Sequence, residues 1–323
     1  MVFVTRAFAA RLCYGPRRMR RLLALTTLAL LSCAKPDTSP PDGGGAGGGA
    51  GPAVDAPLPD TDPAAIAVKA ADPATADALR TALAGTHRGE NPARDRYRHP
   101  YEMLLFFGLR QDMTVVELWP GGGGWFTEVL APVLREKGKL IATNFDTSGP
   151  PDSYQARGGK KFLEKLAGNP ALYDKVEVVT VKDPATLQLA PDGTVDLVVT
   201  FRNTHGWVED GIDDKIYGSV FKALKSGGVL GVEQHRAKAD VTGEPKEIAK
   251  SGYLPEAWVI SRIEAFGFKL AAKSEVNANP RDTKDYAKGV WTLPPSFELG
   301  ETDKAKYAAI GESDRMTLKF VKP

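Results

Sequence analysis

From residue 114 onward, short apolar runs alternate with amphipathic stretches. Thr114–Trp119, Lys139–Phe145, Val176–Val181, Val195–Phe201 and Val229–Glu233 are rich in β-branched residues and bounded by glycine, proline or charged turns. Continuous apolar runs, without polar alternation, are the pattern of strands buried on both faces. The intervening stretches predict helices over 125–135, 160–166, 214–224 and 255–266, three of them stopped by glycines at 138, 227–228 and 267. In the third, Ile216, Val220, Phe221 and Leu224 share one face. Phe268–Val276 and Met316–Val321 follow as a late pair, expected antiparallel. Upstream, Asp72-Pro73 supplies a cap and first position for a helix over 74–84. Asn91 caps a helix reaching Arg98, and Pro100–Phe107 forms a third, stopped by Gly108. Strand–helix alternation predicts an α/β, doubly wound, mostly parallel sheet, with an N-terminal helical extension over 74–108.

Residues before about 66 follow none of these periods. Residues 1–32 hold six arginines and no acid, and Arg20-Arg21 leads into a short apolar run over 22–31. A basic start, a brief apolar core and a small residue before the cut describe a secretory signal peptide. The run is too short to span a bilayer, which takes about 20 apolar residues. Met19 can serve as the start, because residues 19–33 form a complete signal by themselves. Residues 34–65 are dominated by Pro, Gly, Ala and Asp, a composition too polar and glycine-rich to repay ordering, and read as a tether. The working domain is then 66–323.

This division changes the meaning of the net charge. The whole chain carries 42 basic and 40 acidic residues, formally +2. Removing the six arginines of the leader leaves 36 against 40, or −4. No basic stripe or aromatic–basic array points to nucleic acid. The two cysteines, Cys13 and Cys33, make neither a disulfide framework nor a cysteine metal site.

Chemistry in an open α/β sheet lies beyond the carboxyl ends of its strands. After the first run comes Glu117-Leu-Trp-Pro-Gly121-Gly-Gly123-Gly-Trp125, a glycine-rich turn into a helix. Such a turn lets backbone approach a ligand closely, or simply packs helix on strand. It fits neither the dinucleotide fingerprint nor a phosphate loop. Arg202, Asn203, His205 and Trp207 follow the fourth run, and Glu233, His235 and Arg236 the fifth. Adjacent parallel strands would bring His205 and His235 to one rim, as a general base or as neutral imidazoles bonded to loops. A metal held by His205, His235, Glu233 and His99 lacks any compact ligand spacing, so none is expected. The absence of G-x-S-x-G argues against a hydrolase elbow.

Two likenesses add to this reading. Leu30-Leu31-Ser32-Cys33 resembles the bacterial lipobox, which implies lipidation of Cys33 and a protein held on the periplasmic side of a membrane. From residue 75 on, the chain resembles the class I S-adenosylmethionine-dependent methyltransferases. The likeness rests on Glu117, Gly121 and Gly123, on Leu224-Lys-Ser-Gly-Gly228 before the fifth strand, and on the terminal strand pair. It is narrower for a bacterial subgroup, through Asn91–Glu102, Glu117–Trp125 and Thr200–Trp207.

The family implies a Rossmann-like seven-stranded sheet with a C-terminal antiparallel hairpin. It implies S-adenosylmethionine as cofactor, with Glu117 near its amino group and Gly121 and Gly123 against its methionine part. Asn144 or Asp146 would meet the ribose, and Asp183 the adenine. Trp119 stands where the family has its first glycine. His205, His235 and Asn203 become the catalytic candidates. Arg94, Tyr97, Arg98, His99 and Trp207 become a cap over a small-molecule substrate. The competing expectation is an exported binding protein that keeps the fold without the chemistry, because export separates the domain from a cytosolic metabolite.

Overall fold

The seven apolar runs become seven strands: β1 (Thr114–Leu118), β2 (Lys139–Phe145), β3 (Glu177–Val181), β4 (Val195–Phe201), β5 (Leu224–His235), β6 (Lys269–Ser274) and β7 (Arg315–Val321). They pair in one sheet in the order β3-β2-β1-β4-β5-β7-β6. The first five are parallel, while β7 runs antiparallel between β5 and β6. The fold is thus the expected doubly wound, mostly parallel α/β sheet with an antiparallel C-terminal pair. The computed structural model describes residues 57–323, within a unit spanning Gly49–Pro323. The leader, Met19, Cys33 and most of the tether lie outside the described residues.

Both faces of the sheet are covered, which explains the unbroken apolar runs. In β1, Val115 joins the core on one face, while Val116 and Leu118 join the core on the other. In β4, Leu197, Val199 and Phe201 face the first of these and Val198 the second. Gly231 of β5 shows how closely the layers approach: a Cβ there would stand 2.6 Å from the Phe107 ring. The helix Pro100–Phe107 can therefore rest on the sheet.

Local signals set most helix ends. The Asp72 carboxylate accepts from Thr75 N (2.8 Å), with Pro73 opening the helix Pro73–Leu83. Gly108, at φ 86°, ends Pro100–Phe107. Three expectations need correction. The tether stops earlier than residue 66, because Asp62 caps a helix over Pro63–Lys69 whose Ala64 is fully buried. Asn91 caps no continuous helix: Asn91–Arg94 is a 3₁₀ turn and Asp95–Arg98 a separate helical turn. Its amide donates instead to the buried Glu128 carboxylate at 2.8 and 2.9 Å. Finally, β5 runs on to His235, two residues past the expected end, because β7 pairs with it along that length. No helix among the described residues is long and apolar enough to cross a membrane.

Candidate active site

Strand order reverses beside β1, whose neighbours are β2 and β4. A crevice at that switch point is where such sheets receive ligands. Glu117, next to last in β1, is buried and accepts from the Thr127 hydroxyl (2.7 Å) at the start of the next helix. Burial pushes its carboxyl up to about 8, against the opposing Thr127 hydrogen bond and the Lys165 charge. The turn that follows has Gly121 at φ 67°, and a Cβ at either Gly121 or Gly123 would meet nothing within 4 Å. Open space over a glycine turn beside an undercompensated carboxyl suits the cationic amine end of a ligand.

The strand-to-turn transition is stitched from both sides. Trp119 takes φ 42°, its N–H donates to Thr143 Oγ1 (2.8 Å), and its indole packs against Trp207 and Phe145 at 5.3 and 6.3 Å. The Asn203 amide donates to Leu118 O (2.8 Å), Trp119 O (3.3 Å) and Thr200 Oγ1 (3.2 Å). The Asn203 amide nitrogen is thereby committed to holding β1 against β4. Trp207 also turns inward, meeting Trp119 and Tyr217 within the core instead of covering a pocket.

The three residues expected at the nucleoside are likewise engaged locally. Asn144 donates to Gly159 O (3.2 Å), tying β2 to the helix Tyr154–Gly168. Asp146 accepts from Ser148 N and its hydroxyl, and Asp183 from Ala185 N. Glu117, Gly121 and Gly123 thus share one strand-to-turn segment, while Asn144, Asp146 and Asp183 each take part in a local hydrogen bond.

The histidines do meet at one rim, with ring centroids 5.6 Å apart. The Gln234 amide donates to Gly252 O (2.9 Å), which fixes its oxygen as acceptor for His205 Nδ1 (3.4 Å). Neutral His205 therefore carries its lone pair on Nε2. Burial holds it down to about 4, with Gln234 opposing and the Arg202 charge assisting. His235 shares a 2.6 Å hydrogen bond between Nδ1 and Ser313 Oγ. Burial, then His205 and Arg202, push it well below the ordinary histidine range.

Around this pair lies a charge network. Glu312 pairs with Arg94 (2.7 Å), Arg98 (3.2 Å) and Arg315 (3.0 Å), and Glu233 pairs with Arg315 (2.6 Å). Burial would raise the Glu312 carboxyl, but Arg98, Arg315, Arg202 and Arg94 outweigh it and hold it far below its usual value. Arg98 also lies over the Trp125 ring at 4.5 Å, which Arg88 approaches as well, at 4.9 Å. Tyr97 contributes its carbonyl, which accepts from Arg315. His99 takes φ 41° at the joint between two helices and contacts the Asn277 amide oxygen at 3.3 Å. Arg94 and Arg98 thus belong to the site, whereas Tyr97 and His99 shape the segment that carries them.

Sequence reasoning missed Thr127, Gln234, Glu312, Ser313 and Arg315. Glu312 and Ser313 precede β7 and Arg315 opens it, and an antiparallel strand starts at the edge where its parallel neighbour ends: Arg315 pairs in register with His235. The expected hairpin carried that signal. Among the described residues no group of three His, Cys, Asp or Glu could hold a metal ion.

No protein-family model matches the chain, and no curated protein matches it. Among solved structures it is similar to a SAM dependent methyltransferase from Aquifex aeolicus: 20% identity over 72% of this chain and 94% of that one, TM-score 0.47. It is also similar to the [4+2]-cyclase SpnF (16%, 71% and 81%, TM-score 0.47). A third likeness is to the glycopeptide N-methyltransferase MtfA complexed with (S)-adenosyl-L-methionine (17%, 69% and 87%, TM-score 0.43). A cyclase stands beside the methyltransferases, so these likenesses decide neither activity nor ligand.

Proposed function

We propose that this chain is an S-adenosylmethionine-dependent methyltransferase acting on a small molecule or an envelope acceptor. The observation that carries the reading is the open glycine turn beside buried Glu117, set at the switch point of the β3-β2-β1-β4-β5-β7-β6 sheet. Gly121 and Gly123 would admit the methionine end of the cofactor, and Glu117 would face its ammonium, regaining its charge as that cation arrives. The bound cofactor supplies a methyl group already activated on a sulfonium. His205 would accept a proton from the acceptor at Nε2, and the rim around His235 would orient the acceptor. We further propose that residues 1–32, or 19–32 if Met19 is the start, direct export and that Cys33 is the lipid anchor, a reading that rests on the leader's residues alone.

Trp119 and Asn144 favour a second reading, a binding protein of the same fold that no longer takes the nucleoside. Its mark is the indole packed against Phe145 and Trp207 while the Asn144 amide holds Gly159. Calorimetric titration of the full chain with S-adenosylmethionine separates the two. Saturable heat, abolished by Gly121→Asp in a variant that keeps its fold, supports the enzyme. No heat and no thermal shift at millimolar ligand favours the binding protein, and unchanged affinity in Gly121→Asp refutes the pocket.

A further inference from the structure

We infer that Arg94, Arg98, Arg202 and Arg315 form a binding site for a compact anion, a carboxylate or phosphate group borne by the substrate. As a statement about the methyl acceptor this rests on the function proposed above; as an anion site it stands by itself.

The inference begins with unequal charge. Two buried carboxylates, Glu233 and Glu312, serve all four guanidiniums, with Arg202 reaching them only at 3.8 and 3.9 Å. Neighbouring carboxylates are committed elsewhere: Asp95 to Arg88, and Asp314 to Arg236 and Lys284. Among the described residues two positive charges are left over. A brace between the N-terminal helices and β7 needs charges paired one for one. Surplus guanidiniums away from water only weaken a brace, because like charges repel strongly where water screens little. Burial, Arg202 and Arg94 all disfavour the charged state of Arg98, as expected of a site short of anions.

Unused donors point the same way. Arg94 Nη2, Arg98 Nη1, Arg202 Nε and Arg315 Nε are buried and have no hydrogen-bond partner among the described residues, and the same holds for the two Glu233 oxygens, which lie 2.6 Å from Arg315 Nε and 3.8 Å from Arg202 Nε. The Arg98 side chain is only 3% exposed. A guanidinium presents its donors as a fork that matches a carboxylate or phosphate edge. Arg202 also takes φ 63°, with its N–H donating to Glu233 O (2.7 Å). That left-handed backbone is uncommon for a side chain of this size and is typical of functional positions. The cluster reaches the surface, where the Arg94 and Arg202 side chains are 26% and 23% exposed. An anion seated there would lie beside the His205–His235 rim, because Arg315 pairs in register with His235 and Arg202 acts on both imidazoles.

The test is calorimetric titration of the full chain with inorganic phosphate and with malonate, each at constant ionic strength against chloride. Saturable binding of one or both supports the site: phosphate alone assigns a phosphate-bearing ligand, malonate alone a carboxylate. Arg202→Gln and, at the more open position, Arg94→Gln should each weaken binding about tenfold or more. Glu312→Gln should lower the melting temperature yet tighten anion binding, since it removes a negative charge. No binding beyond chloride, or unchanged affinity in both arginine variants, overturns the inference. Repeating the titration with saturating S-adenosylmethionine separates the two proposals. Retained anion binding assigns the anion to the acceptor, and mutual exclusion overturns that assignment. Cofactor binding with no anion binding overturns the anion site and leaves the methyltransferase reading standing.

Discussion

His205 and His235 face each other across the ends of β4 and β5 with ring centroids 5.6 Å apart, and both are held neutral. Two imidazolium ions at that separation would repel each other and the surrounding arginines. The parallel register of β4 and β5 creates the pair, and burial, assisted by the arginines around it, sets its protonation.

One consequence is a site blind to mild acid. Imidazole nitrogen shifts of His205 should stay unprotonated from about pH 8 down to 5.5, where exposed histidines titrate. As pH falls from 6.5 towards 4, the unfolded chain takes up a proton at this residue before the folded one does. The stability of the protein relative to His205→Gln should therefore decline over that window, and a constant difference in chemical denaturation would contradict the assignment.

Glu117 titrates with the opposite sense. The folded protein keeps its proton up to about 8, whereas the unfolded chain loses it near 4.5. The folded state binds the extra proton between these values, so this group's contribution to stability falls as pH rises through them. Denaturation of the wild type and Glu117→Gln should show a wild-type advantage that shrinks from acid to alkaline pH. A pH-independent gap would mean that Glu117 is already ionised.

Trp119 tests strain against packing. A glycine there would relieve a left-handed backbone strained by about 1 kcal/mol or slightly more. The indole's contacts with Phe145 and Trp207 outweigh that, since truncating a buried aromatic costs about 3–5 kcal/mol. Trp119→Gly should thus be destabilised by about 2 kcal/mol or more in urea. A more stable variant would show that the indole contributes little.

Asn203 is expected to act through β1. Asn203→Ala leaves the Leu118 and Trp119 carbonyls without this donor, a loss of about 1–3 kcal/mol. Melting temperature and S-adenosylmethionine affinity should fall together. Undiminished stability with lost turnover would instead place Asn203 on the substrate.

The strands were legible because burial on both faces leaves apolar runs that can be read without knowing their partners. The Asp72 cap, the Gly108 stop and the antiparallel sense of the final pair followed from local rules of the same kind. The helix Pro63–Lys69 was hidden because its stability comes from partners far along the chain: Asp62, which caps it, also bonds Ser274 and Glu275.

Within the site, the sequence by itself placed Glu117 beside a glycine turn and put two histidines on neighbouring strand ends, because both follow from strand order. Tertiary structure decided which polar residues are available. Asn203, Asn144 and Asp183 have side chains short enough to bond nearby backbone, and folding commits them there. Glu312 and Arg315 lie about 80 residues beyond His235 in sequence. Only the antiparallel return of β7 delivers them to the rim. The balance of four arginines against two carboxylates is likewise a property of the assembled edge, since the Arg94–Glu312 and Arg98–Glu312 pairs each span more than 200 positions of the chain.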